Sequence, residues 1–337
     1  MPRLRLTFAS VAALLSLAAP ARSDHPSAGF SHGIAGPIVT IPAEIMPKRM
    51  WAVTARAEFI SFDAFSDQAL EDGALAGEEL HSVDQLLSPS LSFAYGLNER
   101  VCLALRLPYV QRDNIREGHL ELGVPEVHTH GDSKGIGDLT LLGQWRLAIS
   151  EGGPKLAVLA GVKLPTGQTD VASDDGTRFE TEHQPGSGST DPLAGLALSK
   201  PMRSVSLDAD VLASFAMDGT EDTHLGTRVN YDAAVSFRLG RESASEHTHE
   251  HGSAEHTHFV MDGVLEANGD WRDRQTIAGV KDENSGGNLI YLSPGLRAGI
   301  EGRWSVSASV GIPVLQDWNG QQHDTSVRVL VGLGVAL

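Results

Sequence analysis

The sequence holds one cysteine, Cys102. A lone cysteine excludes an internal disulfide and a multi-cysteine metal centre. Basic residues are scarce beside acidic ones, 26 against 43, for a net charge of −17. That balance argues against a nucleic-acid partner and against a polybasic binder of membrane surfaces. Beyond the N-terminus, no apolar run reaches the length of a membrane-spanning helix. Catalytic signatures are missing too. There is no His-Glu-x-x-His pair for a helix-borne catalytic zinc. Gly186-Ser187-Gly188 lacks the strand–turn–helix setting of a nucleophile elbow. The chain therefore reads as non-enzymatic.

What is present begins with export. Arg3 and Arg5 precede an apolar run, Leu6 to Ala19, and then Ala21-Arg22-Ser23. A basic head, a short apolar core and small residues two apart describe a secretory signal peptide over 1–23, with cleavage expected after Ser23. Its removal leaves 23 basic residues against 43 acidic, a net charge near −20. An exported chain without disulfides has to be held by backbone pairing and packing, which a closed barrel achieves.

Gly135 to Ile149 shows how. Leu139, Leu141, Trp145, Leu147 and Ile149 share one parity, and Asp138, Thr140, Gln144 and Arg146 share the other. Period two means a β-strand with one apolar and one polar face. A soluble sandwich would turn the apolar face inward. A membrane barrel turns it to lipid and keeps the charges in a wet lumen. The alternation returns from Trp51 to Leu337 in twelve stretches, nearly all with charge on the polar side. The expected fold is all-β: a closed antiparallel transmembrane β-barrel of about 12 strands over 50–337, in the bacterial outer membrane. The lumen-lining residues expected from parity are Arg56, Glu58, Arg106, Arg146, Lys163, Asp208, Asp210, Asp232, Arg238, Asp262, Glu266, Arg297, Glu301 and Arg328. Rings of charge can set ion selectivity; mixed signs in a modest bore can equally pair and close it.

Connections alternate in length. Asn98–Arg100, Glu151–Pro154, Lys200–Arg203 and Gly302–Arg303 are short, whereas 64–82, 113–134, 168–188 and 272–288 are long. Short periplasmic turns and long extracellular loops fit an outer-membrane barrel. The connection 241–258 breaks this rule: it is long where a short turn is due. Residues 24–49 are rich in Gly, Pro and Ala, have no period, and read as an extended segment that could enter the lumen.

Three short stretches carry a family likeness: Gly-Ile-Gly-Asp-Leu-Thr-Leu at 135–141, Leu-Pro-Thr-Gly at 164–167 and Gln-Pro-Gly-Ser-Gly-Ser at 184–189. With the lead-in from Gly36-Pro37 to Pro47-Lys48, their order resembles the outer-membrane transporters named for the meta-pathway of phenol degradation. The resemblance spans nearly the whole chain after the signal. It implies an outer-membrane β-barrel with a transport role and names no substrate.

One cluster points to metal. His247, His249 and His251, then His256 and His258, alternate with acids and small residues. Alternate imidazoles in an extended segment project to one side, a donor set suited to Zn²⁺, Cu²⁺ or Ni²⁺. A solvated low-complexity turn would look the same. His119, His128 and His130 lie in an expected outer loop. The leading reading is a channel or transporter for a small molecule or ion, in contact with outer-membrane lipid and without a required cofactor. The alternatives are a barrel whose histidine tract binds or senses transition metal, and an occluded barrel of structural role.

Overall fold

The computed structural model describes residues 36–78, 80–147, 153–239, 259–300 and 303–337. Twelve antiparallel strands pair in sequence and close on themselves. They are β1 (Trp51–Asp63), β2 (Gln85–Gly96), β3 (Val101–Glu121) and β4, which runs in two pieces, Val124–Ile136 and Leu139–Arg146. β5 (Lys155–Leu164), β6 (Asp191–Pro201), β7 (Val205–Ser214) and β8 (Arg228–Leu239) follow. β9 (Phe259–Arg272), β10 (Gly287–Ile300), β11 (Trp304–Trp318) and β12 (Asp324–Ala336) complete the wall. Closure is made by β1 against β12, in register from Ala52↔Ala336 to Ser61↔Val327. This is the all-β, twelve-stranded closed barrel that the alternation led us to expect.

The two faces separate as parity requires. Leu91, Leu141, Leu196, Val235, Leu296 and Val331 point outward and are exposed. Their inward neighbours Ser90, Leu142, Ala197, Ala234, Arg297 and Leu330 are buried. An exposed apolar belt running around the whole wall is far larger than a protein in water leaves uncovered. Aromatic residues border it. Trp51, Trp145 and Trp304 stand exposed at the turn rim, with Trp51 stacked on Tyr95 at 4.2 Å. Tyr109, Phe215 and Trp271 stand exposed toward the loop rim. Such girdles mark the two interfaces of a membrane barrel. Trp318 is different: it turns inward and packs on Leu289 and Tyr291.

Local chemistry sets the connections. At the turn rim, the Asn98 side chain accepts N–H bonds from Arg100 (2.8 Å) and Val101 (3.0 Å), an Asx turn that starts β3. One expectation is corrected at the loop rim. Residues 113–134 are not an open loop but an extension of β3 and β4 into a tall hairpin. Its two-residue turn, Leu122-Gly123, has both φ angles positive, 52° and 85°. That conformation matches the twist of a tight hairpin and suits glycine at the second position. Beside it, residues 64–84 carry α1 (Asp67–Ala76), capped by Ser66 Oγ accepting from Ala69 N–H and ended by Gly77. Leu70 of this helix is fully buried against the hairpin, where a Cβ on Gly118 would come within 2.1 Å of the Leu70 carbonyl oxygen.

The ends of β8 and β9, Leu239 and Phe259, stand on the rim that carries the short turns. The histidines His247, His249, His251, His256 and His258 lie outside the described residues.

Candidate functional site: the occupied lumen

Residues 36–46 run inside the barrel, and Pro47 and Lys48 emerge at the turn rim. The Glu266 carboxylate on β9 accepts the backbone N–H groups of Ile38 (3.1 Å), Val39 (3.0 Å) and Thr40 (3.0 Å). Arg297, one strand along, donates to the Pro37 carbonyl at 2.7 Å. Further on, Ile41 N–H donates to Asp210 at 2.6 Å and Ala43 N–H to Ser199 Oγ at 2.8 Å. Gln144 donates to the Pro42 carbonyl at 2.5 Å, and Lys155 pairs with Glu44. An extended segment has no partners of its own for its backbone, so a buried one has to borrow them from the wall. Hydrogen bonds to a charged acceptor contribute about 1.5–3 kcal/mol each, so Glu266 is the firmest hold.

The opposite side of the segment meets an apolar surface. Ile41 and Ala43 pack on Leu142, Ala157, Leu159, Leu193, Ala197 and Leu212 of β4 to β7. Toward the turn rim, Met46 covers Cys102, Ala52 and Ala94. Gly96 lets the chain pass there, since a Cβ would stand 2.0 Å from the Pro47 carbonyl oxygen.

Arg56, Glu58, Arg106, Asp208, Asp210, Glu266, Arg297 and Arg328 lie on the inner wall. Mixed signs are drawn together. Arg328 donates to Asn268 (2.5 Å) and Ser293 (3.1 Å) and lies 4.1 Å over the Tyr291 ring. Asn268 donates to Asp232 at 2.9 Å. Arg238 pairs with Asp262 at 2.6 Å, and Arg146 donates to the Glu99 carbonyl at 2.6 Å. Glu301 lies outside the described residues. Several lumen residues escaped the sequence reading, although parity places them there. Arg228 forks onto Asp270 with two bonds of 2.8 Å, and Arg272 joins the same carboxylate at 2.7 Å. Each continues a polar row already noted on its strand.

The three family-like stretches meet at one point. Asp138, at the break in β4, accepts from Gly167 N–H (2.9 Å), Ser187 N–H (3.0 Å) and Ser187 Oγ (2.7 Å). Lys163 bridges Asp138 and Asp191, 2.9 Å from each. A Cβ on Gly167 would fall 2.6 Å from Gly186 Cα. The glycines thus let two strand ends and the 165–190 loop cross in contact, and Asp138 pins the crossing. Around it, Gln168 exchanges bonds with Ile136, and Gln184 with Val171. The loop is thereby folded into the mouth.

Above the segment and under this loop lies a cavity of about 210 Å³. Its wall carries Arg106, Arg112, Lys163, Arg228 and Arg272 against only Asp138 and Asp191. Leu193, Leu212, Leu225 and Pro108 supply an apolar side. Such a space can hold a small solute with one charged end and one apolar end.

No family model and no curated protein matches the chain. Solved structures do. An outer membrane channel from Pseudomonas putida F1 aligns with a TM-score of 0.56 at 15% identity, over 88% of this chain and 98% of that one. The NanC porin aligns with a TM-score of 0.43 at 7% identity, over 85% and 100%. The Ralstonia pickettii toluene transporter TbuX aligns with a TM-score of 0.39 at 8% identity, over 87% and 90%. The likeness to the Pseudomonas channel is one of fold.

Proposed function

We propose that the chain is a non-enzymatic channel of the outer membrane that passes small solutes carrying an anionic group. The observation that carries this reading is the cavity, cationic on one side and apolar on the other, set inside a wall whose outer face is apolar all round. The outward belt and its two aromatic borders support placement in a bilayer, since charge on that face would be costly at mid-depth. The resemblance to meta-pathway transporters and the fold held in common with a bacterial outer membrane channel agree with a transport role.

Passage requires the segment at 36–46 to shift, because it fills the lumen on the turn side of the cavity. The occupied lumen also favours a second reading, a barrel closed for good. Liposome swelling separates the two. Proteoliposomes are diluted into iso-osmotic small carboxylates or into amines of the same size. Carboxylates should enter faster. Equal or reversed rates would remove the anion preference, and no entry of any solute would leave the closed barrel. The metal-handling alternative on His247 to His258 is tested by comparing zinc bound per barrel with and without those five histidines; equal stoichiometry and affinity would remove it.

A further inference from the structure

A second group of chemically capable side chains stands at the loop rim, apart from the histidine tract. His81 belongs to the short strand Leu80–Ser82 that follows α1, and Glu180, Glu182 and His183 belong to the 165–190 loop. One donor atom from each lies within 4.8 Å of all the others. Glu182 Oε1 stands 3.5 Å from His81 Nδ1 and 3.5 Å from His183 Nε2. Glu180 Oε2 stands 3.7 Å from His81 Nε2. Zinc bonds to nitrogen and carboxylate oxygen are short, so tetrahedral ligands around zinc sit roughly 3.3–3.6 Å apart. Glu182 already has that spacing to each imidazole, and the four donors together lie within 4.8 Å of one another.

The surroundings resemble a supported metal site. Gln275 donates to Glu182 Oε2, which turns Oε1 toward both imidazoles. Glu117 of the hairpin stands 3.6 Å from His81 Nε2 and 3.1 Å from His130 Nε2, so with Nε2 held there the His81 ring presents Nδ1 to Glu182. Carboxylates behind a ligating imidazole orient it and raise its basicity. A polar cavity of about 60 Å³ opens beside His81, Glu182 and His183, room for an ion and a water. The neighbouring group His128, His130 and Asp175 is less suited. It is more exposed, and Asp175 already accepts from Ser173 and Thr177.

We propose that His81, Glu180, Glu182 and His183 bind a divalent transition-metal ion, zinc by preference, which latches the 165–190 loop to the rim. Two imidazoles and two carboxylates suit a four-coordinate zinc without thiolates. His183 and Gln184 also accept from Arg112 through their carbonyls, at 3.2 and 3.3 Å, so the latch sits directly on the cavity wall. Zinc outside the cell would then fix the loop that roofs the solute cavity.

The test uses the full chain with His247, His249, His251, His256 and His258 replaced by alanine, so that the tract contributes no binding. Competition against a chromophoric chelator should find one zinc per barrel. His183→Ala should weaken it by more than the roughly 10–100-fold typical of losing an outer-shell partner. Glu182→Gln, nearly isosteric, should act in the same direction should His183→Ala fail to fold. Co²⁺ at this position should give the strong visible absorption of a tetrahedral ion. Affinity should fall as the pH drops, because protons compete with the metal for imidazole and carboxylate ligands. Absence of binding, or binding untouched by either substitution, overturns the proposal. Neither result depends on conductance, so the site can fail while the channel reading stands, and the reverse.

Discussion

The two halves of the inner wall hold the same segment with different weights of apolar contact and charge. From β4 to β7 the wall offers Leu142, Leu159, Leu193 and Leu212 to Ile41 and Ala43. From β9 to β10 it offers Glu266 and Arg297 to the backbone of residues 37–40. The β4–β7 half combines that apolar seat with single bonds, Asp210 to Ile41, Ser199 to Ala43 and Gln144 to Pro42. The charged half fixes position, because three amides converge on one carboxylate. The segment is therefore registered by its backbone and seated by its side chains.

That division can be broken one side at a time, with Cys102 as a native reporter. This thiol is 1% exposed and lies under Met46, so its alkylation rate measures release of the segment. Glu266→Ala should have the largest effect. It leaves the buried N–H groups of Ile38, Val39 and Thr40 without their acceptor, at about 1–3 kcal/mol each. Cys102 should react readily in that variant; continued protection would mean the charged half is not the main hold. Leu159→Ala attacks the apolar half and should cost about 2–4 kcal/mol. Its signature is a lower urea midpoint for Cys102 labelling, with the segment's register retained. Asp138→Asn loosens the loop crossing instead and should cost about 1–3 kcal/mol. Protease should then cut within 168–184 sooner, while Cys102 stays covered. Ile41→Val trims one methylene and should cost about 0.5–1.5 kcal/mol, visible only as a small shift in the same midpoint.

The outer wall was legible in the sequence because lipid imposes one rule on every outward position. Leu139, Leu141 and Trp145 could be read without knowing their neighbours. The inner wall answers to partners far along the chain. Leu142 and Leu212 look misplaced on a polar face until Ile41 is laid between them. The hairpin at 113–134 was hidden because its parity breaks at Asn114, where φ is 55°, and because both of its faces are polar. The family-like glycines were visible as wording, but their meeting at Asp138 was not. His81 and His183 stand in separate loops, and nothing in sequence spacing joins them, whereas the histidine tract drew notice through its repeat alone.

A planar bilayer decides the central claim that a solute path runs through this barrel and is held closed by its own segment. The intact chain should give small, flickering currents, and a variant lacking residues 36–46 should give steady currents severalfold larger, with anions carrying the greater share. Silence from both, at every voltage and with the barrel shown to be folded, would contradict it.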